Sequence, residues 1–129
     1  GNTQAKVKLK AVNWEANGLA EIVSYSDFKK IELKTAKILS AEQIPEKDNL
    51  YKLELDLGSE RRTIVSGLRK YYSIEELVGK TIILVANLEP KKIGGMLSQG
   101  MLLAAVDWDD NNVVLVAPDR EIAPGKTVE

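Results

Sequence analysis

Residues 50–57 read Leu-Tyr-Lys-Leu-Glu-Leu-Asp-Leu, and this stretch decides the fold. Leucines at positions 53, 55 and 57 alternate with charged residues at positions 52, 54 and 56. Successive side chains of a β-strand point to opposite faces, so the pattern predicts a strand with one buried and one solvated face. Such strands are typical of antiparallel sheets, and we expect the chain to be built around one.

The stretches on both sides also have the composition of strands. Upstream, residues 31–44 are rich in β-forming residues, and the weaker pattern at 40–41 predicts a bend in one long strand. Downstream, Gly58-Ser59 predicts a hairpin into a third strand at residues 61–66. Three consecutive antiparallel strands are therefore predicted.

A short helix and further strands follow. At the start of residues 73–78, a Ser and a Glu three residues apart have the spacing of a capping box, which predicts a short helix. Continuous apolar runs at 81–86 and 101–106 predict two core strands, and 113–117 is the return strand of an extra hairpin.

This order predicts an all-β protein with a short helix. Three strands, a helix and two strands describe an OB-fold, a five-stranded Greek-key barrel, here with a C-terminal β extension. An SH3-like barrel and an open β-sandwich fit the same pattern and stay open at this point. The lysine-rich residues 1–24 predict a linker or tether, and the OB-fold domain is expected over residues 25–129.

The composition argues against several classes of site. The 129 residues include no Cys and no His, which removes disulfides, thiolate nucleophiles and imidazole bases or metal ligands. No apolar run approaches the ~20 residues that span a bilayer, so we expect a cytoplasmic protein without membrane contact. These absences predict a binding module with no catalytic residue, no metal site and no cofactor.

The charge is unevenly distributed, although the net charge is only −1. Residues 61–92 contain seven basic and three acidic side chains, whereas residues 107–129 contain six acidic and two basic ones. A chain with one basic face shows this polarity, and such a face attracts nucleic acid. Solvated charges without a partner are the alternative.

From Tyr25 onward, the chain resembles the tRNA-binding domain family. Five stretches carry the resemblance, in order and at the family's spacing: FKKIELKTA at 28–36, DNLYKLELDLG at 48–58, IVSGL at 64–68, NLEPKK at 87–92 and LSQGM at 97–101. The sequence is most similar to the C-terminal domain of bacterial methionyl-tRNA synthetases. The resemblance implies an OB-fold that binds tRNA and catalyses no reaction.

The resemblance also implies which residues contact tRNA. It places Ser98 and Met101 in the binding region, and it puts Lys34, Lys91 and Lys92 at basic positions of the family. Lysines neutralise phosphates, a serine hydroxyl donates to a phosphate or 2′-hydroxyl, and Met offers a soft contact to an unstacked base. Taken alone, Met101 fits the core as well, and the two neighbouring lysines fit a solvated turn. The candidate contacts are Lys34, Lys52, Arg61, Arg62, Asn87, Lys91, Lys92, Ser98 and Met101.

One position departs from the family pattern. After Ile93 the family commonly has a basic residue followed by Gly, whereas this sequence has Gly94-Gly95. The loss of one phosphate contact predicts weaker tRNA binding and a salt dependence smaller by about one unit of slope.

The sequence therefore predicts a non-catalytic tRNA-binding module that serves a methionyl-tRNA synthetase catalytic core, on the same chain or as a separate subunit. The apolar run at 113–117 predicts an edge strand that needs covering, and hence a homodimer. A peptide-binding, chaperone-like homodimer related to export chaperones is the alternative. A metal-dependent hydrolase using Asp48, Asp56 or Asp109-Asp110 is a weaker hypothesis, because these acids show no converging spacing.

Overall fold

The computed structural model describes residues 21–129 and divides the chain into two units, Gly1–Lys30 and Ile31–Glu129. In the described part of the first unit, Tyr25–Phe28 form a single helical turn, α1. Most of the predicted tether, residues 1–24, lies outside the described residues. The second unit carries the strands.

The second unit is built mainly from antiparallel strands. In chain order its elements are β1 (Leu33–Ile44), β2 (Lys47–Asp56), β3 (Arg61–Ser66), α2 (Ile74–Leu77), β4 (Thr81–Val85), β5 (Lys91–Ile93), β6 (Met96–Ser98), β7 (Met101–Leu102), β8 (Ala104–Asp107), β9 (Asn112–Leu115) and β10 (Thr127–Val128). β1 to β4 and β7 form one sheet in the order β3-β2-β1-β4-β7, and β10 pairs with β1. β5 pairs with β6, and β8 pairs with β9. This is the all-β, OB-like fold that the sequence predicts.

The leucines of β2 form the centre of the core, as their alternation predicts. Leu53 and Leu55 are fully buried and belong to one apolar cluster with Ile64 of β3 and Leu84 of β4. Complete burial of such a side chain stabilises a fold by about 1.5–3 kcal/mol. These side chains therefore hold the curved sheet together from its concave side.

The predicted bend in β1 is a break in its ladder with β2. Ile38 pairs with Leu55 and Ser40 with Glu54, so the residue between them has no partner on β2. An extra residue of this kind bends a strand and increases its twist. β1 can consequently pair with β4 along its first half and with β2 along its second half.

The helix α2 is fixed by the capping box that the sequence predicts. The Ser73 hydroxyl accepts a hydrogen bond from the Glu76 N–H at 3.1 Å, and the Glu76 carboxylate accepts one from the Ser73 N–H at 2.8 Å. These bonds lower the pKa of the Glu76 carboxyl below its ordinary value, with the bond from the Ser73 backbone as the largest cause. Gly79 follows with a φ of 95°, a conformation that glycine adopts without strain.

Two segments differ from the sequence-based expectation. The apolar run 101–106, predicted as one strand, is divided between β7 and β8. At Leu103 the chain changes partner: its N–H donates to the Ile83 carbonyl at 3.1 Å, and its carbonyl accepts from the Val116 N–H at 3.0 Å. Residues 91–98, for which no strand was predicted, form the β5–β6 hairpin. Apolar composition does not encode where a strand changes partner.

The predicted OB-fold is present in an open form: within residues 21–129, no strand ladder closes the sheet into a barrel. β3 is the last strand at one end of the sheet and β7 the last at the other. We call the gap between β3 and residues 98–100 the seam. The side chains of Ser98 and Gln99 bridge it, together with one backbone hydrogen bond from the Gln99 N–H to the Thr63 carbonyl.

The C-terminal segment is clamped to β1 through Thr35, which is buried. The Thr35 hydroxyl donates to the Ala123 carbonyl at 2.8 Å and accepts from the Lys126 N–H at 2.8 Å. Gly125 lies against Leu57 so closely that an added β-carbon would be 2.1 Å from the Leu57 carbonyl oxygen. The clamp covers the part of β1 that β2 leaves unpaired, and it requires glycine at this position.

Candidate nucleic-acid interface

The β5–β6 hairpin, residues 91–98, presents two of the predicted contacts, and we call it the lysine hairpin. Gly94 and Gly95 form its turn with φ angles of 59° and 82°. Two-residue hairpin turns with positive φ at both positions favour glycine, which explains why the turn forms here. Lys91 and Lys92 are exposed, and no described side chain forms a hydrogen bond or ion pair with either ammonium group.

Ser98 lies at the base of the lysine hairpin and is only 3% exposed. Its hydroxyl accepts a hydrogen bond from the Val65 N–H at 3.0 Å and donates one to the Gly100 carbonyl at 3.2 Å. The hydroxyl that the family resemblance assigned to tRNA is therefore engaged within the fold. Sequence reasoning could not anticipate this, because Val65 is 33 residues away along the chain.

Gly100 carries the chain from the seam into β7, the strand that pairs with β4. Its φ is 124°, and an added β-carbon would lie 2.9 Å from the Val85 carbonyl oxygen. This close approach allows Met101 to pair with Val85. Met101 is 48% exposed and points away from the core side of the sheet, so it is open to contact from solvent.

Three further candidates, distant in sequence, meet at one end of the sheet. Lys34, Arg62 and Asn87 line a pocket of about 410 Å³, which we call the end pocket. No side-chain hydrogen bond or ion pair engages Lys34 within residues 21–129. The Asn87 side-chain oxygen accepts the Glu32 N–H at 2.8 Å, which orients the amide. The end pocket thus combines a cation with an oriented amide.

Arg62 is fixed at the wall of the end pocket. Its Nε donates to the Glu60 carboxylate at 2.8 Å, and its Nη1 donates to the Ala86 carbonyl and lies 3.5 Å from the Gln99 carbonyl oxygen. The hydrogen bond from Arg62, followed by its positive charge, lowers the pKa of the Glu60 carboxyl. Glu60 is therefore ionised at neutral pH and offsets part of the charge of Arg62.

The remaining basic candidates, Lys52 and Arg61, lie on the solvated face of β2 and β3. The Lys52 ammonium is 4.0 Å from the Glu42 carboxylate and 3.9 Å from that of Glu54, and Arg61 lies opposite Asp56 in the ladder. Opposite charges at these distances reduce the attraction for a distant phosphate. Among the predicted contacts, Lys34 and the two lysines of the lysine hairpin are instead basic side chains without a described ion pair.

Two further observations concern residues 21–129 alone. Within them, no helix is long and apolar enough to cross a membrane. The same residues contain no group of three or more acidic, Cys or His side chains placed to hold a metal ion.

The strand topology defines a class of protein, the OB-like domain, and Lys34, Lys91 and Lys92 give it basic side chains of the kind that neutralise phosphates. The model of the putative tRNA binding domain matches residues 33–127. The chain belongs to this family of tRNA-binding domains, as the sequence motifs predicted.

Similar proteins agree with this assignment. The chain is 51% identical over 108 residues to the methionine–tRNA ligase of Pyrococcus horikoshii, covering 84% of this chain and 15% of that protein. It is 48% identical over 102 residues to the enzyme of Clostridium perfringens, covering 79% of this chain and 16% of that protein. The matched parts are the C-terminal regions of these enzymes. This chain therefore spans only about 15% of the length of such relatives.

Two solved structures have the same fold. The MetRS-related protein from Pyrococcus horikoshii has a TM-score of 0.79 at 39% identity, covering 85% of this chain and all of that one (100%). The chaperone CsaA from Bacillus anthracis has a TM-score of 0.76 at 27% identity, covering 84% of this chain and 100% of that one. The fold is thus shared by a synthetase-related protein and by a chaperone.

Proposed function

We propose that this domain is a non-catalytic module that captures tRNA for a methionyl-tRNA synthetase catalytic core, either on the same chain or as a partner subunit. The observation that carries the proposal is the tRNA-binding family match over residues 33–127. A tethered module of this kind raises the effective concentration of tRNA near the catalytic core without contributing a reacting group.

The positions of the candidate residues support different contacts to tRNA in this proposal. Lys91 and Lys92 neutralise phosphates from the exposed hairpin, and Lys34 does so at the end pocket. Asn87 lies at the same pocket as a candidate contact for a sugar or base edge, while Met101 contacts an unstacked base. Such contacts recognise the shape and backbone of folded tRNA more than its sequence.

Fluorescence anisotropy with labelled tRNA tests the proposal, with a duplex DNA of equal length as the control. We expect dissociation constants in the micromolar range or below, preference for tRNA, and a steep loss of affinity between about 50 and 200 mM salt. Equal binding of both nucleic acids would remove the tRNA specificity, and no binding at low salt would reject the proposal for this domain.

We also propose that the domain forms a homodimer through the β8–β9 hairpin. Val106, Trp108 and Val114 are large apolar side chains on this hairpin, and each is about half exposed or more, with Trp108 at 69%. Within the described residues, β8 and β9 pair only with each other, so their sheet has room for further strands. Pairing with a second copy would cover both the apolar side chains and the free strand edges.

A peptide-binding, chaperone-like function is the second candidate, and an apolar groove favours it. The groove has a volume of about 340 Å³ and lies beside the exposed Trp108, with Leu68, Tyr71, Leu102 and Val113 among its lining residues. Adding unlabelled apolar peptides to the anisotropy assay separates the functions. Peptide binding without tRNA binding would favour the chaperone-like function.

A further inference from the structure

The N–H groups of Thr63 and Val65 point away from β2 into the seam. An edge strand with unpaired N–H groups is a weak point of a sheet, and no strand of the described residues pairs with β3 on this side. Side chains satisfy the two groups instead: the Gln99 side-chain oxygen lies 3.2 Å from the Thr63 nitrogen, and the Ser98 hydroxyl lies 3.0 Å from the Val65 nitrogen.

Gln99 reproduces on its own the pair of bonds that a ladder residue makes. Its backbone N–H donates to the Thr63 carbonyl at 2.9 Å, while its side-chain oxygen accepts from the N–H of the same Thr63. In an antiparallel ladder, two facing residues exchange two such bonds through their backbones. Gln99 is thereby held to a single residue of β3 by two polar bonds.

The lysine hairpin depends on this attachment for its orientation. β5 and β6 pair only with each other within the described residues, so no continuous ladder connects the hairpin to the main sheet. Its tip is packed as well, because a β-carbon added to Gly94 would lie 3.0 Å from Leu50 Cδ1. The hairpin is therefore fixed at its base by Ser98 and Gln99 and at its tip by Leu50.

We infer that Gln99 is a positioning residue for tRNA binding: its bonds to Thr63 hold the lysine hairpin so that Lys91 and Lys92 reach the tRNA backbone in a defined geometry. The inference rests on the proposed function. Two lysines that are held in place before binding lose less conformational entropy when they contact phosphates. A substitution that disorders the lysine hairpin should therefore weaken tRNA binding without removing any charge.

The test is a double-mutant cycle that combines Gln99→Met with Lys91→Ala/Lys92→Ala. Gln99→Met keeps the length of the side chain and removes the oxygen that accepts from Thr63. We expect it to weaken tRNA binding roughly 3- to 10-fold in the otherwise native chain, within the range of couplings between neighbouring residues. In the chain without the two lysines, it should change affinity less than about 2-fold. Equal losses in both backgrounds would overturn the inference.

Gln43→Met is the matched control, because Gln43 is exposed and forms no side-chain hydrogen bond in the described part of the chain. Binding by this variant should equal that of the native chain. Circular dichroism melting of all variants checks that each is folded at the assay temperature. A loss of affinity by Gln43→Met as large as that by Gln99→Met would also overturn the inference.

A measurement without tRNA separates this inference from the proposed function. Trypsin cuts after Lys92 only when the hairpin opens locally, so Gln99→Met should increase cleavage there several-fold while Gln43→Met should not. Unchanged cleavage would overturn the anchoring role of Gln99. Faster cleavage in a chain that does not bind tRNA at all would reject the proposed function, and with it the role in binding, while keeping the anchor.

Discussion

Lys91 and Ser98 face each other across the lysine hairpin, yet their side chains have opposite environments. Lys91 extends into solvent with no described partner, whereas Ser98 is buried and makes two hydrogen bonds. At the scale of single residues, we therefore assign the charge for binding to the lysine and the integrity of the seam to the serine. The two roles lead to different expectations for substitution.

Replacing Lys91 and Lys92 by Ala should weaken tRNA binding and leave the fold intact, because both side chains are exposed. Each lost phosphate contact reduces the slope of log affinity against log salt by about 0.7–0.9, so the double variant should lose up to roughly two units. Anisotropy at four or more salt concentrations measures this slope. The variant Lys37→Ala/Lys80→Ala removes the same charge elsewhere, and an equal loss of slope there would contradict the assignment.

Ser98→Ala should lower the free energy of unfolding by about 1–3 kcal/mol, because it leaves the buried Val65 N–H without an acceptor. Urea denaturation measures the change, with Ser59→Ala as the control at an exposed serine. If Ser98→Ala were as stable as the native chain but bound tRNA poorly, the hydroxyl would be a direct contact after all.

The sequence indicates chemical type at each of these residues but not which groups are already bound. In the sequence alone, nothing distinguishes the ammonium groups of Lys34, Lys52 and Lys91. In the fold, Lys52 lies between two carboxylates, and the others have no described partner. The partners come from other strands, and only the register of the sheet brings them together.

At the scale of elements, the number of residues in a helix or strand decides whether it could be predicted from the sequence. β2 and α2 carry enough residues to show alternation or a capping box, and both were predicted from the sequence. β5 and β6 have three residues each, and β10 has two, which is too few for any period to appear. The hairpin that carries the lysines was therefore missed, although its Gly94-Gly95 turn is a recognised hairpin feature.

The C-terminal clamp gives a prediction at this scale. Gly125→Ala should strongly destabilise the fold, by several kcal/mol, because the added carbon would meet the Leu57 carbonyl oxygen at 2.1 Å. Gly79→Ala is the matched control: its φ is also positive, at 95°, but an added carbon there meets nothing within 4 Å. Thermal melting should therefore show a much larger drop for Gly125→Ala. Equal drops would mean that backbone strain alone is responsible.

At the scale of the whole molecule, the β8–β9 hairpin carries the exposed apolar side chains Val106, Trp108 and Val114, for which we propose a second copy as the partner. Val114→Lys should weaken the proposed homodimer at least tenfold, because it places a charge at the centre of a desolvated interface. Size-exclusion chromatography with light scattering measures the mass across concentrations. Val78→Lys, at another half-exposed valine, is the control. A monomeric native chain at high micromolar concentration would contradict the dimer.

The family motifs predicted the family of tRNA-binding domains, and the match over residues 33–127 confirms that prediction. The distribution of charge in the sequence was a weaker guide, since acidic side chains of β1 and β2 compensate Lys52. The site that we propose is therefore smaller than the set of basic residues suggests: it comprises the lysine hairpin and the end pocket.

Backbone amide chemical-shift mapping of the ¹⁵N-labelled domain during titration with tRNA tests the central claim most directly. We expect saturable shifts concentrated in residues 91–95 and around Lys34 and Asn87, with the β8–β9 groove largely unaffected. Shifts confined to the groove around Trp108, or no saturable shifts at low salt, would contradict the assignment of tRNA binding to the lysine hairpin and the end pocket.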